Sequence, residues 1–198
     1  MIPVRDAQAN MQVTAKQIRC EGCIDDKNKE WRKFMCGIIG YTGNEVVREV
    51  LLDALELLEY RGYDSAGIAV RNQTENRTDV YKCAGRVGDL RQICAGMTGG
   101  AGCGIGHTRW ATHGGVSDRN AHPHRSGAVT LVHNGIVENY KELLLDYSLE
   151  KELVSETDSE AVAVLLDHFY DGNPREAIRK TAERLRGTFA LVVMFEDQ

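Results

Sequence analysis

The amino-acid sequence predicts a layered α+β protein, and two patterns in it support this prediction. Short apolar runs bounded by glycine and polar turns recur along the chain, as at residues 37–41 and 129–133, and such runs are typical of buried strands. Other segments place their apolar residues on one helical stripe, as between residues 46 and 58. Hydrophobic strands covered by amphipathic helices give layers of sheet and helix. These patterns alone do not determine the order of the strands.

The predicted elements begin after residue 35 with a strand, a turn and the striped helix, at residues 37–41, 42–44 and 46–58. Next come strands at 66–71 and 80–83, a short helix at 87–95, a strand at 105–110, a polar loop at 111–126 and a strand at 129–133. Asn134-Gly135 is expected to end that last strand sharply. Three helices should follow at 137–147, 157–170 and 174–185, and then a strand at 188–195. Ser155 or Thr157 and Asn173 are the expected helix starts, because such side chains cap helices.

Length and composition indicate one globular domain, and they favour small molecules as its partners. The 198 residues are 42% hydrophobic and 27% charged, which suffices for one sizeable core. A net charge of -5, with no basic run interleaved with aromatics, argues against a nucleic-acid partner. No stretch approaches the roughly 20 apolar residues of a membrane helix, and residues 1–35 lack the apolar core of a signal peptide. We therefore expect no membrane partner and a cytoplasmic location.

The six cysteines are then expected to be mostly free thiols. Cys20 and Cys23 form a CxxC pair, but neither a second pair nor a flanking βαβ pattern supports a zinc or redox site. His122 and His124 lack a third ligand at suitable spacing, and residues 99–104 do not satisfy GxGxxG. We expect neither a metal nor a cofactor.

Residues 1–35 are predicted to be an extension, and residues 36–198 the domain. The first 34 residues are rich in charge, with scattered apolar positions, as in disordered or weakly helical segments. The extension has three interpretations: a propeptide removed from Cys36, an inactive fusion, or a start codon assigned too far upstream. We favour the last, because removal of Met35 would then expose Cys36 as the first residue.

Cys36 opens the run CGIIGYTG and is the candidate nucleophile. A sulfur nucleophile needs a base, an oxyanion stabiliser and groups that hold the substrate. A free α-amine, with a pKa of about 7.7 to 8.0, can act as the base near neutral pH, whereas an amide nitrogen cannot. Taken alone, a strand cysteine is usually a packing residue and Asn-Gly usually a tight turn. Other motifs must therefore support the catalytic interpretation.

Five ordered blocks supply that support: CGIIG at 36–40, LEYRGYDSAGIAV at 58–70, GHTRWATHGGVSDRNAHPH at 106–124, HNGIVEN at 133–139 and SETDSE at 155–160. Together they resemble the glutaminase domain of the glutamine-fructose-6-phosphate aminotransferases, which are class II glutamine amidotransferases. The resemblance covers essentially all of residues 35–198. It implies the N-terminal-nucleophile fold, an αββα four-layer sandwich, here C-terminally incomplete because the family's glutaminase domain is longer.

The resemblance also implies a reaction and partners. Cys36 would attack the side-chain amide of glutamine, release ammonia through a thioester, and yield glutamate after hydrolysis. The ammonia would serve to form glucosamine 6-phosphate from fructose 6-phosphate. Sugar-isomerase domains are expected beyond Gln198, and a homodimer is expected for the full-length protein. The alternatives are another class II amidotransferase, or a catalytically silent glutamine-binding or regulatory module in which Cys36 stays blocked.

Site roles are carried over position by position. Asn134 and Gly135 match the oxyanion hole, one through its side-chain amide and the other through its backbone N–H. The substrate-binding positions are Arg109 for the α-carboxylate, Asp158 for the α-ammonium, Trp110, Thr112 and His113 in the loop over glutamine, and Arg61 near the nucleophile. Trp110 is further implicated in gating ammonia. The alternative is core packing for Trp110 and a structural ion pair for Arg61. Without the family, Arg109 and Asp158 would be surface charges, with Asp158 as a carboxylate in the first turn of a helix.

Overall fold

The computed structural model describes residues 36–59, 63–72, 75, 77–97, 102–110 and 114–196. The strands and helices in this part of the chain are, in order, β1 (Gly37–Gly43), α1 (Val47–Leu58), β2 (Ser65–Asn72), β3 (Arg77–Ala84), α2 (Val87–Ile93), β4 (Gly102–Arg109), β5 (His124–Ser126), β6 (Val129–Val137), α3 (Tyr140–Asp146), α4 (Asp158–His168), α5 (Pro174–Ala182) and β7 (Gly187–Phe195). Short 3-10 turns lie at Cys94–Gly96 and Glu150–Glu152. Among the described helices, none has the length and apolar character needed to cross a membrane.

The strands form two antiparallel sheets. The first sheet has the order β1-β4-β2-β3, and the second has the order β5-β6-β7. In the first sheet, Gly67 of β2 lies opposite both His107 of β4 and Lys82 of β3. In the second sheet, Asn134 of β6 lies opposite Ala190 of β7. Each sheet is therefore drawn from one continuous half of the described chain.

Three apolar layers hold the sheets and helices together. Helices α1 and α2 pack on the outer face of the first sheet, where Leu51 and Leu90 contact the cluster around Ile68. Helix α4 covers the outer face of the second sheet through residues such as Val162. A third cluster lies between the sheets and comprises Ala69, Ile105 and Val132, with Ile38, Val80, Val192 and Met194 packed against it. This arrangement is the predicted αββα sandwich, which is confirmed.

Strand alternation decides which side chains enter the space between the sheets. Ile105 belongs to the inter-sheet cluster, so His107 and Arg109, two and four residues further along β4, lie on the same face. On β6, Val132 is in that cluster, so Asn134 also faces inward. One end of the inter-sheet space is thus apolar, and the other is lined by polar side chains.

The predicted helix starts are confirmed at two positions. The Thr157 side chain accepts a hydrogen bond from the Glu160 backbone N–H and begins α4, and Asn173 does the same for Glu176 and α5.

The prediction that Asn134-Gly135 ends a strand is wrong. Strand β6 continues through Val137, which pairs with Gly187 of β7. Gly135 has a φ of 127°, and a Cβ at this position would collide with the carbonyl oxygen of Thr188. Glycine therefore serves here as the residue that tolerates an unusual backbone angle and close strand contact, and no hairpin turn forms.

The described part of the segment predicted as a polar loop at 111–126, residues 114–126, is partly buried and includes β5. Asn120, His122 and His124 are all at most 5% exposed. The segment approaches the inner face of the first sheet at Gly67, where a Cβ would collide with the carbonyl oxygen of His122. Lys82 of β3 holds it there, because its Nζ donates to three backbone carbonyls, those of residues 119, 121 and 123, at 3.2, 2.8 and 3.2 Å.

Candidate active site

Cys36 lies directly before β1, at the polar end of the inter-sheet space. The backbone N–H of Trp110 donates to its Sγ at 3.0 Å, and the thiol lies 3.5 Å from the Trp110 carbonyl oxygen. Burial raises the pKa of the Cys36 thiol above its ordinary value, although the Trp110 hydrogen bond acts in the opposite direction. The thiol is therefore protonated at neutral pH, and a nucleophilic role requires a base to remove the proton.

Asn134 reaches Cys36 from the opposite sheet. Its Nδ2 donates to the Cys36 backbone carbonyl at 2.9 Å, and its Oδ1 lies 2.9 Å from Nε2 of His107. Gly135 follows on β6, opposite Phe189. The structure thus brings one of the two predicted oxyanion-hole residues, Asn134, into contact with the predicted nucleophile, although the two residues are 98 positions apart in the sequence.

Arg109 is the last residue of β4 and is 3% exposed. Its guanidinium donates to the carbonyl oxygens of Gly114 and Gly115 at 3.2 and 3.3 Å, and it lies 3.8 Å from Oδ1 of Asp64. These contacts fix the plane of the guanidinium, and a fixed planar donor suits a carboxylate ligand. The interpretation of Arg109 as a surface charge is wrong, because the side chain is buried.

Asp158 is the first residue of α4 and is also 3% exposed. Its Oδ2 accepts a hydrogen bond from the backbone N–H of Val137, the last residue of β6, at 2.8 Å. This contact ties the start of α4 to the strand that carries Asn134. Asp158 is likewise not a surface charge, and its carboxylate can pair with a cationic group at this end of the sheets.

Trp110 follows β4, and its side chain is 40% exposed. Assignment to core packing is therefore wrong, since the ring is open to solvent. Its backbone contacts the Cys36 thiol at both its N–H and its carbonyl. Its role over the substrate stays a prediction.

Several predicted features lie outside the described residues. They are Arg61, Thr112 and His113 of the site, the CxxC pair Cys20 and Cys23, and the extension at 1–35. Their predicted roles stay predictions.

Asn120 has a linking role that the sequence reasoning missed. Its Nδ2 donates to the Gly115 carbonyl at 3.0 Å and to Oε2 of Glu156 at 3.2 Å, and its Oδ1 accepts from the Glu156 N–H at 3.0 Å. It therefore ties the segment that binds Arg109 to the segment that leads into Asp158. The NAHPH block contains this residue, but a buried bridging amide leaves no local pattern that would reveal it.

Three buried histidines fill the space beside this site. The rings of His107 and His122 are stacked with centroids 4.1 Å apart, and His124 lies edge-on to His122 at 4.7 Å. Burial lowers the pKa of His107 to about 4, and it lowers the pKa values of His122 and His124 well below their ordinary range. The rings are therefore neutral at physiological pH. Within the described ranges, no group of three or more His, Cys, Asp or Glu side chains is arranged to hold a metal ion.

Comparison with known proteins agrees with this fold. Residues 107–198 match the family model described as "Glutamine amidotransferase domain". The chain is 50% identical over 167 residues to the glutamine-fructose-6-phosphate aminotransferase (isomerizing) of Bacillus subtilis, covering 82% of this chain and 27% of that protein. The enzyme of the same name from Geobacillus kaustophilus is 51% identical over 164 residues, with 81% and 27% covered.

Solved structures give the same fold. The glutamine phosphoribosylpyrophosphate amidotransferase of B. subtilis, complexed with ADP and GMP, superposes with a TM-score of 0.66 at 24% identity, over 80% of this chain and 35% of that one. A structure described as the allosteric regulatory enzyme of purine biosynthesis has a TM-score of 0.65 at 26% identity, with the same coverage. At such identity the first of these supports the fold alone.

The fold and the family model together define the class: residues 107–198 match a glutamine amidotransferase domain, and the described residues have the N-terminal-nucleophile fold. Within that class, its sequence groups it with the glutaminase part of the glutamine-fructose-6-phosphate aminotransferases. The chain spans 27% of the length of these relatives.

Proposed function

We propose that this domain hydrolyses glutamine to glutamate and ammonia, with Cys36 as the nucleophile once it is the first residue of the chain. The observation that carries the proposal is the hydrogen bond across the two sheets, which directs the Asn134 amide at Cys36. An amide donor held against the residue that carries a thiol supplies two of the groups that acyl transfer through a thioester requires.

The chemistry begins with proton transfer. In a chain that starts at Cys36, the neutral α-amine takes the thiol proton, and Sγ forms a bond to the side-chain amide carbon of glutamine. The carbonyl electron pair moves to oxygen, and its return breaks the C–N bond, with the amine proton passing to the departing ammonia. Water then adds to the thioester carbon, the C–S bond breaks, and the thiol is restored as glutamate leaves.

Asn134 and Gly135 are the proposed oxyanion donors. The Asn134 Nδ2 already faces Cys36, and Gly135 follows Asn134 on β6, so its backbone N–H is the second donor that we propose. Loss of one such donor typically costs about 10²- to 10³-fold in kcat. Replacement of Asn134 by alanine in the chain released at Cys36 should therefore reduce kcat by this factor.

The opposite charges of Arg109 and Asp158 fit the two ends of an amino-acid zwitterion. We assign the α-carboxylate of glutamine to Arg109 and its α-ammonium group to Asp158, because both side chains are buried and held by backbone contacts. Trp110, Thr112 and His113 are proposed to cover the bound glutamine, with Trp110 gating ammonia. Arg61 is proposed to support the surroundings of the nucleophile.

The names of the relatives support a proposal for the whole protein. The ammonia would be used to convert fructose 6-phosphate into glucosamine 6-phosphate on sugar-isomerase domains that follow Gln198, in a cytoplasmic homodimer. The chain itself covers only 27% of the relatives' length, so the sugar reaction would lie outside it.

Release of Cys36 tests the proposal. A specific protease site is placed directly before Cys36 in the full chain, which is assayed for glutamate release before and after cleavage, with Cys36→Ser as the matched control. We expect activity only after cleavage and only with cysteine. Equal activity before cleavage would overturn the role of the α-amine. Binding of glutamine without hydrolysis after cleavage would overturn the catalytic proposal in favour of a silent binding module.

A further inference from the structure

We propose that His107 is a positioning residue that sets the orientation of the Asn134 amide, its Nε2–H donating to Asn134 Oδ1 so that Nδ2 points at Cys36. The inference rests on the proposed function, because the orientation matters if Asn134 stabilises an oxyanion. Asn134 and Cys36 are the residues proposed to act in the reaction, whereas His107 acts through Asn134.

The hydrogen-bond network permits one placement of its hydrogens. At one end, the Cys36 carbonyl can only accept, so the Asn134 atom that faces it at 2.9 Å is the NH₂ group. The Asn134 oxygen then faces His107 Nε2 at 2.9 Å, and the His133 carbonyl oxygen lies 3.0 Å from the same nitrogen. Both groups around Nε2 are acceptors, so Nε2 carries the hydrogen.

The surroundings of His107 favour the same tautomer. The ring is 1% exposed and stacks on His122, which fixes its plane. Its Nδ1 has no hydrogen-bond partner in the described part of the chain, so a hydrogen there would be a buried donor without an acceptor. Burial keeps the ring neutral at physiological pH, and the Nε2–H is the donor in the neutral form.

The orientation has a direct consequence for catalysis. An amide rotated by 180° would present Oδ1, a partial negative charge, to the developing oxyanion at Cys36. The His107 donor makes that orientation unfavourable before substrate arrives, as electrostatic preorganisation requires. The polar contacts of His107 Nε2 are with Asn134 and the His133 carbonyl. We therefore expect loss of its N–H donor to lower kcat and to leave KM for glutamine nearly unchanged.

Two substitutions at His107 distinguish the effect of the Nε2–H donor from the effect of the packed ring. His107→Gln places an amide N–H where the ring Nε2–H lies, and His107→Met has similar bulk without a donor. In the chain released at Cys36, we expect His107→Met to lower kcat by about 10- to 100-fold with KM within about two-fold, and His107→Gln to restore most of it. His168→Gln, which alters a ring packed on Tyr147 and Phe169, is the control that should leave kcat unchanged.

Equal kcat in His107→Met and the unsubstituted chain would overturn the inference. So would an equal loss in both His107 variants at unchanged melting temperature, since the ring's packing would then be the cause. If the variants fail to fold, ¹⁵N NMR of the unsubstituted chain decides: the Nε2–H tautomer of His107 supports the inference, and the Nδ1–H tautomer overturns it. The NMR result does not depend on turnover, so an inactive released chain counts against the proposed function alone.

Discussion

The space between the two sheets is apolar at one end and polar at the other, although the same strands line both. On β4 the change occurs between Ile105, in the inter-sheet cluster, and His107, two residues along the same face. On β6 it occurs between Val132 and Asn134. Ile105 and Val132 at one end and His107 at the other are all at most 2% exposed, so burial by itself does not distinguish core positions from candidate site positions.

The two ends have opposite effects on stability. Apolar side chains at the first end are removed from water and stabilise the fold in proportion to their buried area. Polar groups at the second end need partners, because a buried polar group without a hydrogen bond costs free energy. Lys82 and Asn120 have such partners, whereas both ring nitrogens of His122 have none in the described residues. The apolar end therefore supports a polar end that suits chemistry better than stability.

The largest expected effect is on stability at the apolar end. Ile105→Ala should lower the free energy of unfolding by about 2–5 kcal/mol, because it deletes buried methyl and methylene groups and leaves a cavity. Urea denaturation measures the loss. Glutamine turnover per folded molecule in the released chain should stay unchanged. A large drop in turnover in a variant that still folds would show that packing at the apolar end also affects the chemistry at the polar end.

A smaller loss of unfolding free energy is expected where the buried residues 120–124 pack against the first sheet. Gly67→Ala should cost about 1–3 kcal/mol, because the added Cβ collides with the backbone carbonyl of His122. Gly88→Ala in α2 is the matched control, since no atom lies within 4 Å of its added Cβ. Thermal melting compares the two variants. Equal melting temperatures would contradict the close approach at Gly67.

Lys82→Met tests whether the lysine orders the segment that contacts Arg109. The change removes the donor to three carbonyls, and we expect KM for glutamine to rise about five-fold, as for a loss of about 1 kcal/mol of ordering. Steady-state kinetics on the released chain measures it. Lys141→Met, on the exposed side of α3, should not change KM. An unchanged KM in both variants would show that Lys82 does not contribute to glutamine binding.

The same lysine predicts a pH dependence of stability. Burial lowers the pKa of folded Lys82 to about 8, below its ordinary value of 10.5 in the unfolded chain. Between these values the unfolded chain binds more protons, so this group makes the free energy of unfolding rise with pH. Urea denaturation at several pH values should show the rise in the unsubstituted chain relative to Lys82→Met. A fall over the same range would contradict the direction of the shift.

The last prediction concerns the chemical reactivity of the Cys36 thiol and involves no change in the stability of the fold. Because burial raises the pKa of Cys36, its alkylation by iodoacetamide in the full chain should accelerate about ten-fold per pH unit up to at least pH 9. Peptide mass analysis separates Cys36 from the other thiols, and the buried Cys94 should react only on unfolding. A plateau in the Cys36 rate below pH 8 would show an activated thiol instead.

Local patterns predicted the elements and their caps well, because apolar periodicity and the side chains of Thr157 and Asn173 act within one helix or strand. The end of β6 was mispredicted, since Asn-Gly favours a turn and the pairing with β7 that overrides it lies about 50 residues away. The burial of residues 120–124 was missed for a similar reason. Its polar composition is typical of a solvent-exposed loop. Its burial depends on contacts with Gly67 and Lys82, which are distant in the sequence.

The candidate site was predicted through the five sequence blocks and not through periodicity. The pattern places His107 and Asn134 on strands, but it does not show that they meet across two sheets. The resemblance pointed to Asn134 and Cys36 and left His107 and Asn120 without a role. Side chains that act through other side chains leave no signature in one sequence.

The origin of each sheet from one continuous half of the chain gives the molecule a natural division point. The first sheet is complete by Arg109, and the second begins at His124. Cys36 belongs to the first half and Asn134 to the second. Two polypeptides divided at residues 111–113 would each carry one sheet with its helices, and neither would hold both groups. Glutamine turnover would then report that the halves had met, which is the property needed in a split reporter of protein association.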